Sequence, residues 1–89
     1  MSKWKFTLPN SKELRQAIED EAYETILNEI IKGYQWIEQR RDEDCIIDSY
    51  IEEIQFDIDC GAFDEETVNS HLEDFYDFCD SRRVWIEIC

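Results

Sequence analysis

The 89-residue chain is 43% apolar and 13% aromatic, enough for one core in a single small domain, 1–89. Its 23 acids against nine bases leave a net charge of −14, which disfavours direct binding to nucleic acid or anionic membrane and favours a basic protein partner. No run reaches the ~20 apolar residues of a membrane span, and no signal peptide opens the chain, so a cytoplasmic protein is expected.

Residues 3–8 alternate Lys-Trp-Lys-Phe-Thr-Leu, which puts Trp4, Phe6 and Leu8 on one face of a short strand ended by Pro9. Asn10 is a good N-cap for the helix that follows, with Glu13 placed to reach back to it. Leu14, Ala17, Ile18 and Ala22 line one side of that helix. A second 3.6-periodic stripe then runs through Tyr23, Ile26, Leu27, Ile30, Ile31, Tyr34 and Ile37. At ~100° per residue the two stripes are centred on roughly opposite sides of one continuous helix. Two helices, about 11–20 and 21–40, meeting at Glu19-Asp20-Glu21, resolve the conflict; one long helix is the alternative. Gly33 costs its helix ~1 kcal/mol relative to Ala, so close packing is expected there. Trp36 lies off the stripe and is expected to pack against the terminal strands.

Arg40 and Arg41 suit a helix C-terminus, and Asp42-Glu43-Asp44 signal the next start. Ile47, Tyr50, Ile51, Ile54 and Ile58 form the apolar stripe of a helix over about 43–60, stopped by Gly61. Asp64 caps a last helix, about 65–81, with Glu65 and Glu66 in its first turn. Its buried face is read as Val68, Leu72, Phe75, Tyr76 and Cys79, and Arg82 and Arg83 close it. Residues 84–88 alternate and are β-branched, so they form a second short strand. The fold is therefore mainly α, a small bundle of three to four amphipathic helices. Strands 3–8 and 84–88 are candidates to pair, within one chain or across a dimer. Cys45, Cys60 and Cys79 are read as reduced core thiols and Cys89 as a terminal one.

Between Asp42 and Asp80 lie 39 residues with 15 acids and no Lys or Arg, so nearly all the net charge sits in this block. On the helix over 43–60, Asp44, Asp48 and Glu52 share one flank, and Glu53 and Asp57 the other. On the last helix Glu66, Glu73, Asp77 and Asp80 lie opposite the apolar stripe, within roughly 60° of arc. Four helical residues advance ~6 Å, comparable with the separation of successive phosphates along a strand. Such like-charge spacing costs a few tenths of a kcal/mol per pair, and it is expected to raise carboxyl pKa values in the folded state. A solvated, solubilising face is the plainer account; a phosphate-mimicking surface is the sharper one. Phe56 projects among these acids, opposite the apolar stripe, either as a binding anchor or as packing for another element.

Nothing marks catalysis. His71, the single histidine, reads as structural, and with no CxxC pair a zinc site is not expected. A calcium loop beginning at Asp57 fails in register, because Gly61 falls on a ligand position and Val68 where the bidentate Glu belongs. The abundant carboxylates show no pair set in an apolar pocket. No cofactor is expected.

A short, strongly acidic chain of this kind resembles the small inhibitors encoded by phages and mobile elements, of the anti-CRISPR and antirestriction DNA-mimic type. The run FYDFCDSRRVWI, Phe75 to Ile86, also looks like the ending of small acidic proteins of bacterial mobile elements. The resemblance is one of size and composition and assigns no residue roles. It implies a non-enzymatic inhibitor in the cytoplasm of a bacterial host cell, monomeric or dimeric. Its target would be a basic nucleic-acid-binding protein such as a CRISPR effector or restriction enzyme. The alternative is a small interaction module, antitoxin-like or adaptor, that binds through exposed aromatics.

Overall fold

The computed structural model describes residues 6–40 and 46–86. In order these form β1 (Phe6–Thr7), α1 (Ser11–Glu19), α2 (Tyr23–Arg40), α3 (Ile46–Cys60), α4 (Glu65–Ser81) and β2 (Val84–Trp85). The chain is mainly α, with the helices where hydrophobic periodicity predicts them. Trp4, Cys45, Cys89 and the outer parts of both expected strands lie outside the described residues.

One helix organises the rest, and it is not in the acidic block. α2 packs against α1, α3 and α4. Its stripe of Ile26, Leu27, Ile30, Ile31, Tyr34 and Ile37 is buried throughout. Such side chains are worth ~1.5–3 kcal/mol each when fully buried, so α2 supplies much of the core. Gly33 lets α4 approach: a Cβ there would lie 2.5 Å from Phe75 Cζ. At the next residue, the Tyr34 ring meets Phe75 edge-on at 4.8 Å and Phe78 at 5.5 Å, and stacks on Tyr50 at 5.3 Å. α3 buries Ile47 and Ile54, with Tyr50, Ile51 and Ile58 packed at the core margin.

The break between α1 and α2 follows from backbone hydrogen bonding. Ala22 N–H donates to Ala17 O at 3.0 Å and Glu21 N–H to Ile18 O at 3.1 Å, a Schellman closure with Glu21 left-handed at φ 53°. α3 ends the same way: Ala62 N–H donates to Asp57 O at 2.9 Å, with Gly61 at φ 72°. Arg83, at φ 59°, turns the chain out of α4. Glycine takes this conformation freely, whereas Glu21 and Arg83 adopt it at a cost of ~1–2 kcal/mol each. The two-helix reading holds, and the single long helix does not.

The terminal strands pair within one chain, and in parallel, with Phe6 opposite Val84 and Thr7 opposite Trp85. Leu8 N–H extends the ladder to Trp85 O at 2.8 Å before Pro9, which has no N–H, ends it. Trp36 packs edge-on against Phe6 at 6.0 Å, as expected, and the Arg40 guanidinium lies over Trp36 at 5.0 Å.

Three readings need correction. Asn10 precedes α1 but makes no side-chain cap. Its amide instead donates to Glu29 O at 2.9 Å and Glu29 Oε1 at 3.0 Å, because the buried Glu29 carboxylate, also held by Lys32 at 3.1 Å, needs donors. On α4, Tyr76 is exposed and Phe78 takes its place in the core, since the stripe is drawn toward Tyr34 and Tyr50. Cys60 is exposed at the end of α3, while Cys79 is buried, which pushes its thiol well above the ordinary range.

Candidate interaction surface

α3 contains five acids and α4 six, with no lysine or arginine in either. Their buried stripes turn toward α2, so the polar arcs of both helices are left to solvent. By contrast α1 and α2 provide their own cations, pairing Arg15 with Glu19 at 3.3 Å and Lys32 with Glu29.

Two adjoining concavities form a trough along α3 and α4. One, of about 580 Å³, is lined by Ser49, Glu52, Glu53, Phe56, Asp57 and His71. The other, of about 480 Å³, is lined by Asp57, Asp64, Glu66, Thr67, Ser70 and His71. Asp57 and His71 belong to both. His71 Nε2 lies 2.6 Å from Asp57 Oδ2, with the two side chains 11% and 26% exposed. An ionised Asp57 only accepts, so the Nε2–H of His71 is the donor. The pair ties α4 to α3 at the trough floor, a structural use of the histidine.

At the far end Asp64 caps α4 by accepting from Thr67 N–H at 3.0 Å and from the Thr67 hydroxyl at 2.9 Å. Those bonds favour the carboxylate and hold Asp64 below its usual value. The residue read only as a cap is therefore also a fixed negative charge in the trough.

The residues singled out from the sequence divide into three groups. Glu52, Glu53, Phe56, Asp57 and Glu66 come together in the trough. Glu73, Asp77 and Asp80 occupy the outer face of α4, all exposed. Asp77 also lines a smaller concavity with Asp74, Ile46, Tyr50 and Arg82. Asp48 turns toward α2, where a hydrogen bond with Glu38, then partial burial, then charge repulsion raise the Glu38 carboxyl above its usual value. The raised value belongs to this one pair and is led by the hydrogen bond, with repulsion the smallest of its causes. Asp44 lies outside the described residues.

Sequence reading missed Glu38, because nothing local to α2 announces that α3 returns beside it. It missed Asp74 because that residue sits on the flank of α4 between the acidic arc and Phe78. Phe56, 66% exposed, is the most exposed large apolar side chain among the described residues. Those residues contain no group of three or more His, Cys, Asp or Glu side chains that could hold a metal ion. No described helix is long and apolar enough to cross a membrane.

Comparison with known protein families, characterised proteins and solved structures finds no match to this chain.

Proposed function

We propose that this protein is a non-enzymatic inhibitor that offers the carboxylates of α3 and α4 as surrogates for phosphates. It would occupy the basic groove of a DNA- or RNA-binding protein in a bacterial cell, with a CRISPR effector or restriction enzyme as the leading candidates. The observation that carries the reading is the segregation of charge. Two adjacent helices hold eleven acids and no lysine or arginine, while α1 pairs Glu19 with Arg15 and α2 pairs Glu29 with Lys32. Stability alone gives no reason for this, because like charges a turn apart repel. A cationic groove supplies one, since its counterions are released when the carboxylates replace phosphate.

The test is capture from a bacterial lysate at low salt, identification by mass spectrometry, and competition with duplex DNA or RNA. A nucleic-acid-binding protein displaced by its own nucleic acid and by salt is the expected result. Recovery of no such protein would sink the proposal.

A second reading is favoured by one observation, the 66% exposure of Phe56. In it the protein is an interaction module whose contact is mainly apolar. Binding would then survive high salt and be lost on Phe56→Ala, whereas neutralising carboxylates would change little. Trp36 gives this reading less support, because its ring is already occupied by Phe6 and Arg40.

A further inference from the structure

We infer that the α3 side of the trough, around Phe56, is an arginine-selective docking point for a basic segment of the partner. The inference rests on the charge-driven reading above and specifies which cation the surface selects. Phe56 projects beside Glu52, Glu53 and Asp57, at the mouth of a concavity of about 580 Å³. A guanidinium is planar and weakly hydrated; it stacks on an aromatic face while its edge donates two bonds to a carboxylate. A lysine ammonium is a compact, strongly hydrated charge and loses more by leaving water. An exposed ring ringed by carboxylates therefore discriminates between the two cations, where carboxylates alone attract both.

The protein applies this chemistry to rings of its own, both at the margin and in the core. Arg40 lies over Trp36 at 5.0 Å and over Phe6 at 5.9 Å, and Arg82 lies over Phe78 at 4.8 Å. Phe56 differs: among the described residues no guanidinium lies over it, and its helix contains no Lys or Arg to supply one. The ring is 66% exposed in surroundings whose charge calls for a cation. The described residues leave that position to another molecule. Glu52 and Glu53 then act as the bidentate acceptors, and the Asp57–His71 pair forms the floor against which the arginine stem packs.

The experiment compares binding of fluorescent nona-arginine and nona-lysine peptides to the full chain at fixed ionic strength. Wild type is expected to prefer nona-arginine, and Phe56→Ala to reduce the arginine-to-lysine affinity ratio by roughly twofold to fivefold, the range of one exposed cation–π contact. Phe56→Trp should keep or increase the ratio, while Phe56→Leu, apolar but without a π face, should lower it as Ala does. Equal affinity of wild type for both peptides overturns the inference, as does a ratio unchanged in Phe56→Ala or an absence of binding to either. The readout is separate from the lysate capture. Equal binding of the peptides alongside successful capture would refute arginine selectivity and leave the phosphate-surrogate reading standing.

Discussion

Gly33 marks a close approach of α2 and α4, and it opposes two rules. Alanine at an exposed helix interior would add ~1 kcal/mol by propensity. Here the added Cβ would fall 2.5 Å from Phe75 Cζ. Phe75 is fully buried and held edge-on by Tyr34, so its ring has no open side to swing into. Overpacking of this kind costs ~1–3 kcal/mol, which outweighs the propensity gain. Gly33→Ala is expected to destabilise the fold by about 1 kcal/mol and lower the melting temperature by ~4–8 °C. A raised melting temperature would show that α4 yields at little cost. The same scale of argument accounts for Cys79, whose burial keeps the thiol protonated and makes it a packing residue.

At the scale of elements, the α2–α3 junction couples charge to stability. Glu38 on α2 and Asp48 on α3 share a hydrogen bond, which with partial burial and repulsion raises the Glu38 carboxyl. A raised folded-state value means that the folded protein holds this proton more tightly than the unfolded chain does. The resulting stabilisation is complete below the unfolded value of Glu38 and is lost as pH rises through the folded one. Asp64 has the opposite sign. Its lowered value stabilises the fold above the ordinary aspartate range, and that contribution disappears as pH falls through its folded value. The two windows do not coincide: on acidification the gain at Glu38 comes first and the loss at Asp64 later. The urea midpoint of wild type should therefore gain on that of Asp48→Asn as the pH falls from 7 to 5, so that the margin shifts in favour of wild type. A margin that stays constant across this range would show that the pair is not coupled in solution.

The whole molecule is a core helix with its charge sorted to one side. α2 collects the apolar faces of α1, α3 and α4, and the β1–β2 pairing joins the two ends of the chain. This leaves the outer arc of α4 as a scaffold-borne row of acids, with the trough beside it. Glu73, Asp77 and Asp80 changed together to Gln, Asn and Asn should leave the fold intact, because all three are exposed. Binding to a captured target should weaken on the order of tenfold at low salt, as expected from losing three surface ion pairs. Its salt dependence should become shallower as well. Full inhibition by the triple variant would remove this arc from the interface and leave the trough.

The sequence alone determined a bundle of three to four helices, their bounds to within a few residues, and the sorting of acids opposite the apolar stripes. These depend on period, caps and composition, which are local. It also placed Gly61 as a stop and Asp64 as a cap, since a left-handed turn and an N-terminal acceptor require particular residue types. Tertiary structure decided what local signals do not encode. Asn10 abandoned its cap for a buried carboxylate 19 positions away in the chain. Phe78 displaced Tyr76 because the Tyr34 and Tyr50 rings define where the core is. Asp48 turned toward Glu38 rather than joining the other acids, because α3 folds back along α2. Asp42–Asp80 fixed the charge of the surface, but the meeting of α3 and α4 at Asp57 and His71 set where that surface bends into a trough. Helical periodicity gives the face on which a residue lies. What faces it from a neighbouring helix is set by long-range packing, which no short window of sequence contains.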